Sequence, residues 1–550
     1  MKLKRLFTLV LVVILLIIGA GDFGPVGLAG SDVVGSASSH LGGKTGAKWL
    51  APTALTVLRP GPGKAEAFAP KTAWADQIIY MIMTDRFYNG DRSNDQDADP
   101  SSPWAYHGGD FQGIIDKLDY IKDLGVTAIW ITPVYLNQAK GYHGYWAIDF
   151  AQVDTHLGDM KKLKELVDKA HQRGLKVLLD VVVNHTGQDH PWVKERPDWY
   201  HQEGNISNWN NQEEVERGSL LGLPDLAVEK PEVGQYLLDN ALFWIAATGV
   251  DGFRLDTVRH VPKDYWQRYV AAIKARYPDF FFLGEVWHND YGYLAGYQKV
   301  GIDGLMDFPL YNAVTKTFAQ GAGLDPILWV LQTREIVPHP EFLGVFVDNH
   351  DVPRFVTQAQ QAGGEPLSRL KAALTFAFSL PGLPIIYYGT EVAMEGGKDP
   401  DNRRDMVFGA NPEMTEFLKR LISIRRGFHQ EELGPVIVVG ESKTLLALGR
   451  GKGSNALISV INAGDQPVQT TLDLRGLGWR EGMSLKDVLG SSRATVQPGE
   501  KLTVALNPWE ARIYTPDRQS ATVYYLVGGG IAVLALAGVA LWLARRYRKS

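Results

Sequence analysis

Between Ile78 and Glu391 a short apolar run gives way to a helical pattern, and this happens eight times. The apolar runs are Ile78–Phe87, Val126–Pro133, Leu175–Val183, Val250–Asp256, Phe280–Trp287, Gly304–Leu310, Phe342–Asp351 and Pro384–Glu391. Each is short enough for a strand and apolar throughout, as a strand buried on both faces must be. Helical periodicity follows, for example at Asp110–Leu124, Lys161–Arg173, Glu232–Thr248, Lys263–Arg276, Leu367–Ser379 and Glu413–Arg425. Eight such units predict a (β/α)₈ TIM barrel. The competing doubly wound sheet is disfavoured, because no Gly-rich nucleotide loop follows the first strand. One connection is too long for a simple link. About 45 residues separate Val183 from the helix at Glu232, and long loops within compact folds are usually functional. They predict a small subdomain, 186–228, inserted over the barrel mouth.

The ends of four of these strands are polar. They read Asp180-Val-Val-Val-Asn184-His185, Arg254-Leu-Asp256, Gly284-Glu285-Val-Trp287 and Asp348-Asn-His350-Asp351. A barrel gathers such ends on one rim, where its functional residues lie. Arg254 and Asp256 are spaced i, i+2 and point to one side of a strand. An Arg beside an Asp favours the charged carboxylate, the form that attacks as a nucleophile. Glu285 sits among Phe280, Phe281, Phe282, Val286 and Trp287, a setting that raises a carboxyl pKa and suits an acid. Two carboxyls of unlike protonation are what glycoside cleavage requires. Asp351 is a third, placed to hold sugar hydroxyls.

After about Gly427 the pattern becomes short strands separated by Gly, Asp and Pro: Val436–Val439, Thr444–Gly449, Ala456–Asn462, Gln469–Leu474, Lys501–Leu506 and Ala511–Thr515. These predict a C-terminal antiparallel β-sandwich. The expected organisation is a signal peptide at 1–30, a Gly/Ala/Ser/Pro-rich linker at 31–72, the barrel at 73–427, the sandwich at 428–516, a transmembrane helix at 521–544 and a basic tail at 545–550. The leader pairs Lys2, Lys4 and Arg5 with an apolar run. The segment 521–544 carries no charge and is followed by Arg545-Arg-Tyr-Arg-Lys549, so the catalytic part is expected outside a membrane that this helix anchors. A net charge of −5 argues against nucleic acid as a partner. No protein partner is indicated. The absence of cysteine excludes disulfides, thiolate metal sites and cysteine nucleophiles.

The four polar strand ends, in this order, resemble the α-amylase family of glycoside hydrolases. Gly125-Val-Thr-Ala-Ile-Trp-Ile-Thr-Pro133, Gly141-Tyr-His-Gly-Tyr-Trp146 and Gly382-Leu-Pro-Ile-Ile-Tyr-Tyr-Gly-Thr-Glu391 support the resemblance, which covers about Ala73 to Thr515. It implies Asp256 as nucleophile, Glu285 as general acid/base and Asp351 as a transition-state-stabilising carboxylate. It implies His143, Tyr145, His185, Arg254, His350, Asp399 and Arg403 as sugar ligands, with Arg259 and His260 toward the far side of the cleaved bond. Arg259 stands where many relatives have Lys, and the two are not interchangeable. Two Ca²⁺ sites are also implied. Asn89, Asp91, Asn94, Asp95, the Gly108 carbonyl and Asp110 would form one, an oxygen-rich set that suits a hard cation. Asn184, Asp225 and the His260 carbonyl would form the other. The expected activity is retaining, endo-acting hydrolysis of α-1,4-glucosidic bonds in starch, glycogen and maltooligosaccharides. A maltogenic or transglycosylating enzyme on the same scaffold is one alternative, and a non-catalytic amylase-like ectodomain another.

Overall fold

A computed structural model describes residues 72–517. The expected leader, most of the linker, the transmembrane helix and the basic tail lie outside the described residues. Among the described residues no helix is long and apolar enough to cross a membrane.

All eight expected barrel strands form, at Ile79–Ile82, Ala128–Ile131, Lys176–Val181, Gly252–Leu255, Phe281–Gly284, Gly304–Met306, Leu343–Val345 and Leu383–Tyr387. Every neighbouring pair is parallel, and the first strand bonds to both the second and the eighth, closing the barrel. Tyr80 lies opposite Ile129 on one side and Ile386 on the other. The strands are shorter than the apolar runs because the chain turns into helix while remaining apolar. In the sixth unit Asp307 accepts from Leu310 N at 3.1 Å and caps the helix Phe308–Val314, which has Pro309 in its first turn. That cap overrides the strand expected to continue to Leu310. In the first unit a one-turn helix, Thr84–Phe87, likewise replaces the expected strand end.

The helix Pro231–Thr248 ends at Gly249 in the left-handed conformation, φ 75°, which glycine adopts without a Cβ penalty. Three residues later Gly252 opens the fourth strand. A Cβ there would lie 2.5 Å from Phe281 O, so only glycine lets the fourth and fifth strands come this close. At the end opposite the polar rim, Trp74 stacks on Phe281, ring centroids 4.2 Å apart and planes 13° apart.

The long connection after the third strand holds short helices at Trp192–Glu195 and Gln212–Arg217. An isolated bridge of His185 with Asp225 ties it back to the end of the third strand, and another, Tyr200 with Leu226, holds the insert to itself. An earlier excursion, a hairpin of Tyr135–Asn137 and Ala147–Val153, delivers His143 and Tyr145 at its turn.

Residues 437–516 form antiparallel sheets around a second core that includes Leu445, Val460, Trp479 and Leu485. The six expected strands are present, and a hairpin of Ser484–Asp487 with Arg493–Thr495 joins them. Its strands are too short and too polar to show apolar alternation. The barrel helix Pro366–Ser379 meets this region where Ser379 Oγ donates to Ser459 Oγ at 2.6 Å.

Candidate active site

Strand register assembles the site. Asp180 on the third strand lies opposite Arg254 on the fourth, and Leu255 lies opposite Gly284 on the fifth. Asp256 N donates to Val181 O at 3.0 Å and Glu285 N to Leu255 O at 2.9 Å, so the ladder continues just past the strands and fixes both carboxyl-bearing residues.

Arg254 is fully buried, and its guanidinium meets three carboxyls. Nη1 donates to Asp256 Oδ1 at 2.7 Å and to Asp180 Oδ1 and Oδ2 at 3.0 and 2.9 Å. Nη2 lies 3.0 Å from Glu285 Oε1, within ion-pair distance though off the hydrogen-bond direction. Thr257, between the two carboxyl residues, has φ 46° and ψ 40°. A threonine in the left-handed region is strained by about 1–3 kcal/mol. Here the strain aims Thr257 N at Glu285 Oε2, 3.0 Å away.

Burial pushes the Glu285 carboxyl up to about 8, opposed by Arg254 and reinforced by Asp256 and Asp351. Burial likewise raises Asp180, to about 7, against the pull of Arg254. Asp180 was not expected as a site residue. It accepts from Arg254, from Tyr145 OH at 2.8 Å and from Trp130 Nε1 at 3.1 Å, so it orients the arginine and the tyrosine from behind.

Asp351 faces these groups from the loop that follows the seventh strand, Leu343–Val345. His350 Nε2 lies 3.3 Å from its Oδ2, and Arg403 Nη2 lies 3.4 Å from its Oδ1. Burial raises its pKa against Arg403 and Arg254. Arg403 Nη1 also pairs with Asp399 at 3.1 Å. Tyr145 OH bonds to His350 Nε2 at 2.7 Å. Burial holds His143 and His350 well below the ordinary histidine value, with Arg403 and Arg254 adding to the effect. Both rings therefore stand neutral, as hydrogen-bonding groups rather than cations. His185 is lowered by burial too, and its Nε2 has no protein partner at the cleft wall.

All the expected catalytic and sugar-binding residues except Arg254 line one cleft of about 620 Å³, and Arg254 lies beneath it. Trp209 and Trp287 also line it, each nearly half exposed. Their types were visible in the sequence, but their placement depends on how the inserted loop folds back. Arg259 differs from expectation. Its Nη1 donates to Trp287 O at 2.9 Å and its Nη2 to Trp209 O at 3.0 Å, so its donors face backbone. His260 Nδ1 meets Val215 O at 3.1 Å, and burial lowers its pKa to about 4.

The first-loop cluster is brought together apart from one member. Asn89 Nδ2 donates to both oxygens of Asp95 at 2.9 and 2.8 Å. A Cβ on Gly108 would lie 2.4 Å from both Asn89 Nδ2 and Asp95 Oδ1, so these groups converge on the Gly108 backbone. Asp110 accepts from Gly90 N, Asp91 N and Gly113 N. The amide oxygens of Asn89 and Asn94 are buried without a partner. Asp91 stands apart: it is exposed, and its Oδ1 takes Ser93 N and Oγ. The second set is arranged differently. Asp225 Oδ2 bonds to His201 Nδ1 at 2.6 Å, and the Asn184 carbonyl accepts from Leu226 N at 2.7 Å. His201 thus takes one carboxyl oxygen of Asp225, while Asp225 Oδ1 is buried without a protein partner. Among the described residues no three His, Asp or Glu side chains gather as a metal-holding group, so any cation in the first loop rests on amide and carbonyl oxygens as much as on carboxylates.

Comparison with known proteins agrees with this geometry. Residues 81–420 match the family model "Alpha amylase, catalytic domain". The chain is 38% identical over 463 residues to a beta/alpha-amylase of Paenibacillus polymyxa, covering 81% of this chain but 38% of that longer protein. It is 35% identical over 445 residues to a cyclomaltodextrinase of Thermoanaerobacter pseudethanolicus, covering 74% of each. The crystal structure of an Anoxybacillus alpha-amylase matches with a TM-score of 0.77 and 44% identity, covering 81% of this chain and 99% of that one. With its closed barrel, its carboxyl-lined cleft and a catalytic-domain match over more than half its length, the chain belongs to the α-amylase family.

Proposed function

We propose that the protein is a retaining, endo-acting hydrolase of α-1,4-glucosidic bonds in starch, glycogen and maltooligosaccharides. The observation that carries this is one buried guanidinium held against both Asp256 and Glu285, with burial keeping the proton on Glu285. Asp256 accepts from Arg254 at 2.7 Å, while Glu285 is raised to about 8 and holds its proton at neutral pH. Asp256 attacks the anomeric carbon as Glu285 protonates the departing glycosidic oxygen. Glu285 then takes a proton from water, which attacks the same carbon and releases Asp256. Two inversions give net retention. Asp351, with His350 and Arg403 beside it, holds hydroxyls of the reacting sugar. The intact set of three carboxyls favours an enzyme over a non-catalytic ectodomain. NMR of the first product tests the reading: an α-configured anomer is expected, and a β-configured one refutes it. Product profiles on starch, a cyclic maltodextrin and pullulan then separate the endo-acting reading from a maltogenic one, which the named cyclomaltodextrinase supports.

Calcium belongs to the proposal at the first loop. Asn89, Asn94, Asp95, Gly108 and Asp110 fit a hard cation, because two buried amide oxygens there lack partners. Bound there, Ca²⁺ would supply cohesion to the loop ahead of the helix Phe111–Asp123. A C-terminal anchor belongs to the proposal as well: an uncharged segment, 521–544, ahead of a basic tail supports a catalytic part outside the membrane. Protease added to intact cells should shed activity and leave a C-terminal tag protected.

A further inference from the structure

Asp256 and Glu285 are fixed by the strand ladder, and Asp351 is not. The seventh strand ends at Val345, which pairs with Pro384. Asp351 follows in a turn beyond it. Its carboxyl is held loosely: His350 Nε2 stands 3.3 Å from one oxygen and Arg403 Nη2 3.4 Å from the other. A firm charge-assisted hydrogen bond measures ~2.7–2.9 Å. Such slack leaves both oxygens open to sugar hydroxyls. The aim of the carboxyl therefore has to come from the backbone that carries it.

Asn402 grips that backbone on both sides. It lies in the turn Asp401–Arg403 and is fully buried. Its Nδ2 donates to His350 O at 2.8 Å and to Val352 O at 3.0 Å, the carbonyls that flank Asp351. An amide nitrogen carries two hydrogens, one for each carbonyl, where serine has one and aspartate none. Asn402 is itself anchored to the barrel. Its carbonyl accepts from Arg354 Nε at 3.0 Å and from Tyr387 OH at 3.3 Å. Arg354 is fully buried over the Tyr387 ring, 3.8 Å from its centroid, and its Nη1 donates to Tyr388 O at 2.7 Å. Tyr388 N in turn donates to Met81 O at 2.9 Å, on the first strand.

We propose that Asn402 is a positioning residue: by gripping the carbonyls on either side of Asp351 it carries the rigidity of the closed barrel to that turn, and so sets where the carboxyl meets the reacting sugar. Arg354 is the link between Asn402 and the barrel. Arg403 Nε also reaches His350 O, at 2.8 Å, so the distinct part of Asn402 is its hold on Val352 O, beyond Asp351. This deepens the hydrolase reading above and rests on it.

The test uses the full chain with maltotetraose and α-maltosyl fluoride, which present the same kind of sugar to Asp351. With the fluoride, the C1–F bond breaks as Asp256 bonds to C1, and fluoride departs with the electron pair; water then attacks C1, gives its proton to Glu285 and frees Asp256. N402A removes both donors, and N402L removes them while keeping the volume. Each should lower kcat on both substrates roughly 10–100-fold, with KM within about threefold of wild type, since a misplacement of about 1 Å can cost ~10²-fold. In a D351N background, N402A should cost less than about twofold more in fluoride release, because Asn402 acts through Asp351. Melting temperatures confirm that each variant folds, and N402L serves if N402A does not. Unchanged kcat in the folded variants overturns the proposal. So does N402L at wild-type kcat beside an impaired N402A, because that pattern marks filled volume rather than donated hydrogen bonds. A raised KM with wild-type kcat also overturns it, since that marks Asn402 as support for Asp399 and Arg403 alone. A further loss of about tenfold in the D351N background overturns it as well, because such a loss does not pass through Asp351. A wild type that cleaves neither substrate defeats the hydrolase reading itself, and this inference with it.

Discussion

Glu285→Gln should separate the proton's role in catalysis from its effect on stability. In the folded protein the carboxyl is raised from 4.5 to about 8, chiefly by burial. At 1.36 kcal/mol per pH unit, that gap amounts to ~5 kcal/mol between the two protonation states. The sign follows from linkage: the folded state binds this proton more tightly, so folding takes it up between about pH 4.5 and 8. The wild type therefore loses stability as pH rises through that window. Glutamine has no proton to lose. Near pH 4.5 the two proteins should melt together, and at pH 8 and above the variant should be the more stable. With an unfolding entropy of ~2.1 cal/mol/K per residue, a folded unit spanning 72–517 gains roughly 5 °C from ~5 kcal/mol. Differential scanning calorimetry from pH 5 to 9 reads the gap. Activity should move the other way. The wild-type rate should hold up to about pH 8 and fall tenfold per unit above it, as Glu285 loses its proton. The variant should lose roughly 10²–10⁴ in kcat on maltooligosaccharides, the span for a general acid. A Tm difference that stays flat from pH 5 to 9, or an alkaline limb centred below pH 6, would refute the placement of the proton on Glu285.

Three further outcomes are expected. Asp256→Asn should abolish turnover of starch while leaving its binding intact by affinity electrophoresis, since shape is kept and the attacking oxygen is lost; activity near wild type would place the nucleophile elsewhere. Chelation should lower the melting temperature and added Ca²⁺ restore it, with Asp95→Asn and Asp110→Asn blunting the response, because a ligand of the folded state stabilises by mass action; indifference to both chelator and Ca²⁺ would leave the first loop as a hydrogen-bonded turn. Trp74→Ala should cost about 3–5 kcal/mol of stability with kcat little changed, as it opens a cavity at the barrel end away from the cleft; a matching fall in kcat would mean that this end couples to the site.

The barrel was legible because its strands are apolar on both faces and alternate with runs of helical period; the caps Asp110 and Asp159, which accept from Gly113 N and Lys162 N, add a local signal for where two of those helices start. Strand ends were read too long where apolar character runs on into a helix, as from Met306 to Val314. The hairpin of Ser484–Asp487 with Arg493–Thr495 was missed because its pairing is non-local and its strands lack alternation. In the site, Asp256, Glu285 and Asp351 were readable from residue type at strand ends. Asp180 was hidden, because its part comes from standing opposite Arg254 across two strands, and register is a tertiary property. The partners of Arg259 and Asp225 depend on how 186–228 folds back, and no local pattern encodes that.

The first strand pairs with both its sequence neighbour and the last strand, joining Tyr80 to Ile386. That bond spans roughly 300 residues, and at ~5–20 residues per second a ribosome takes about 15–60 s to make them. Until then the first strand has one edge open, and the sheet grows as an unclosed ribbon. Asp180, Arg254, Asp256 and Glu285 all emerge well before the eighth strand, and Arg403 only after it. The reactive pair thus lies inside the barrel's closing span, ahead of its last three strands, while the strand that closes the ring around it comes last. The edge of the first strand is the last pairing of the barrel that the chain can make, in whichever compartment it folds.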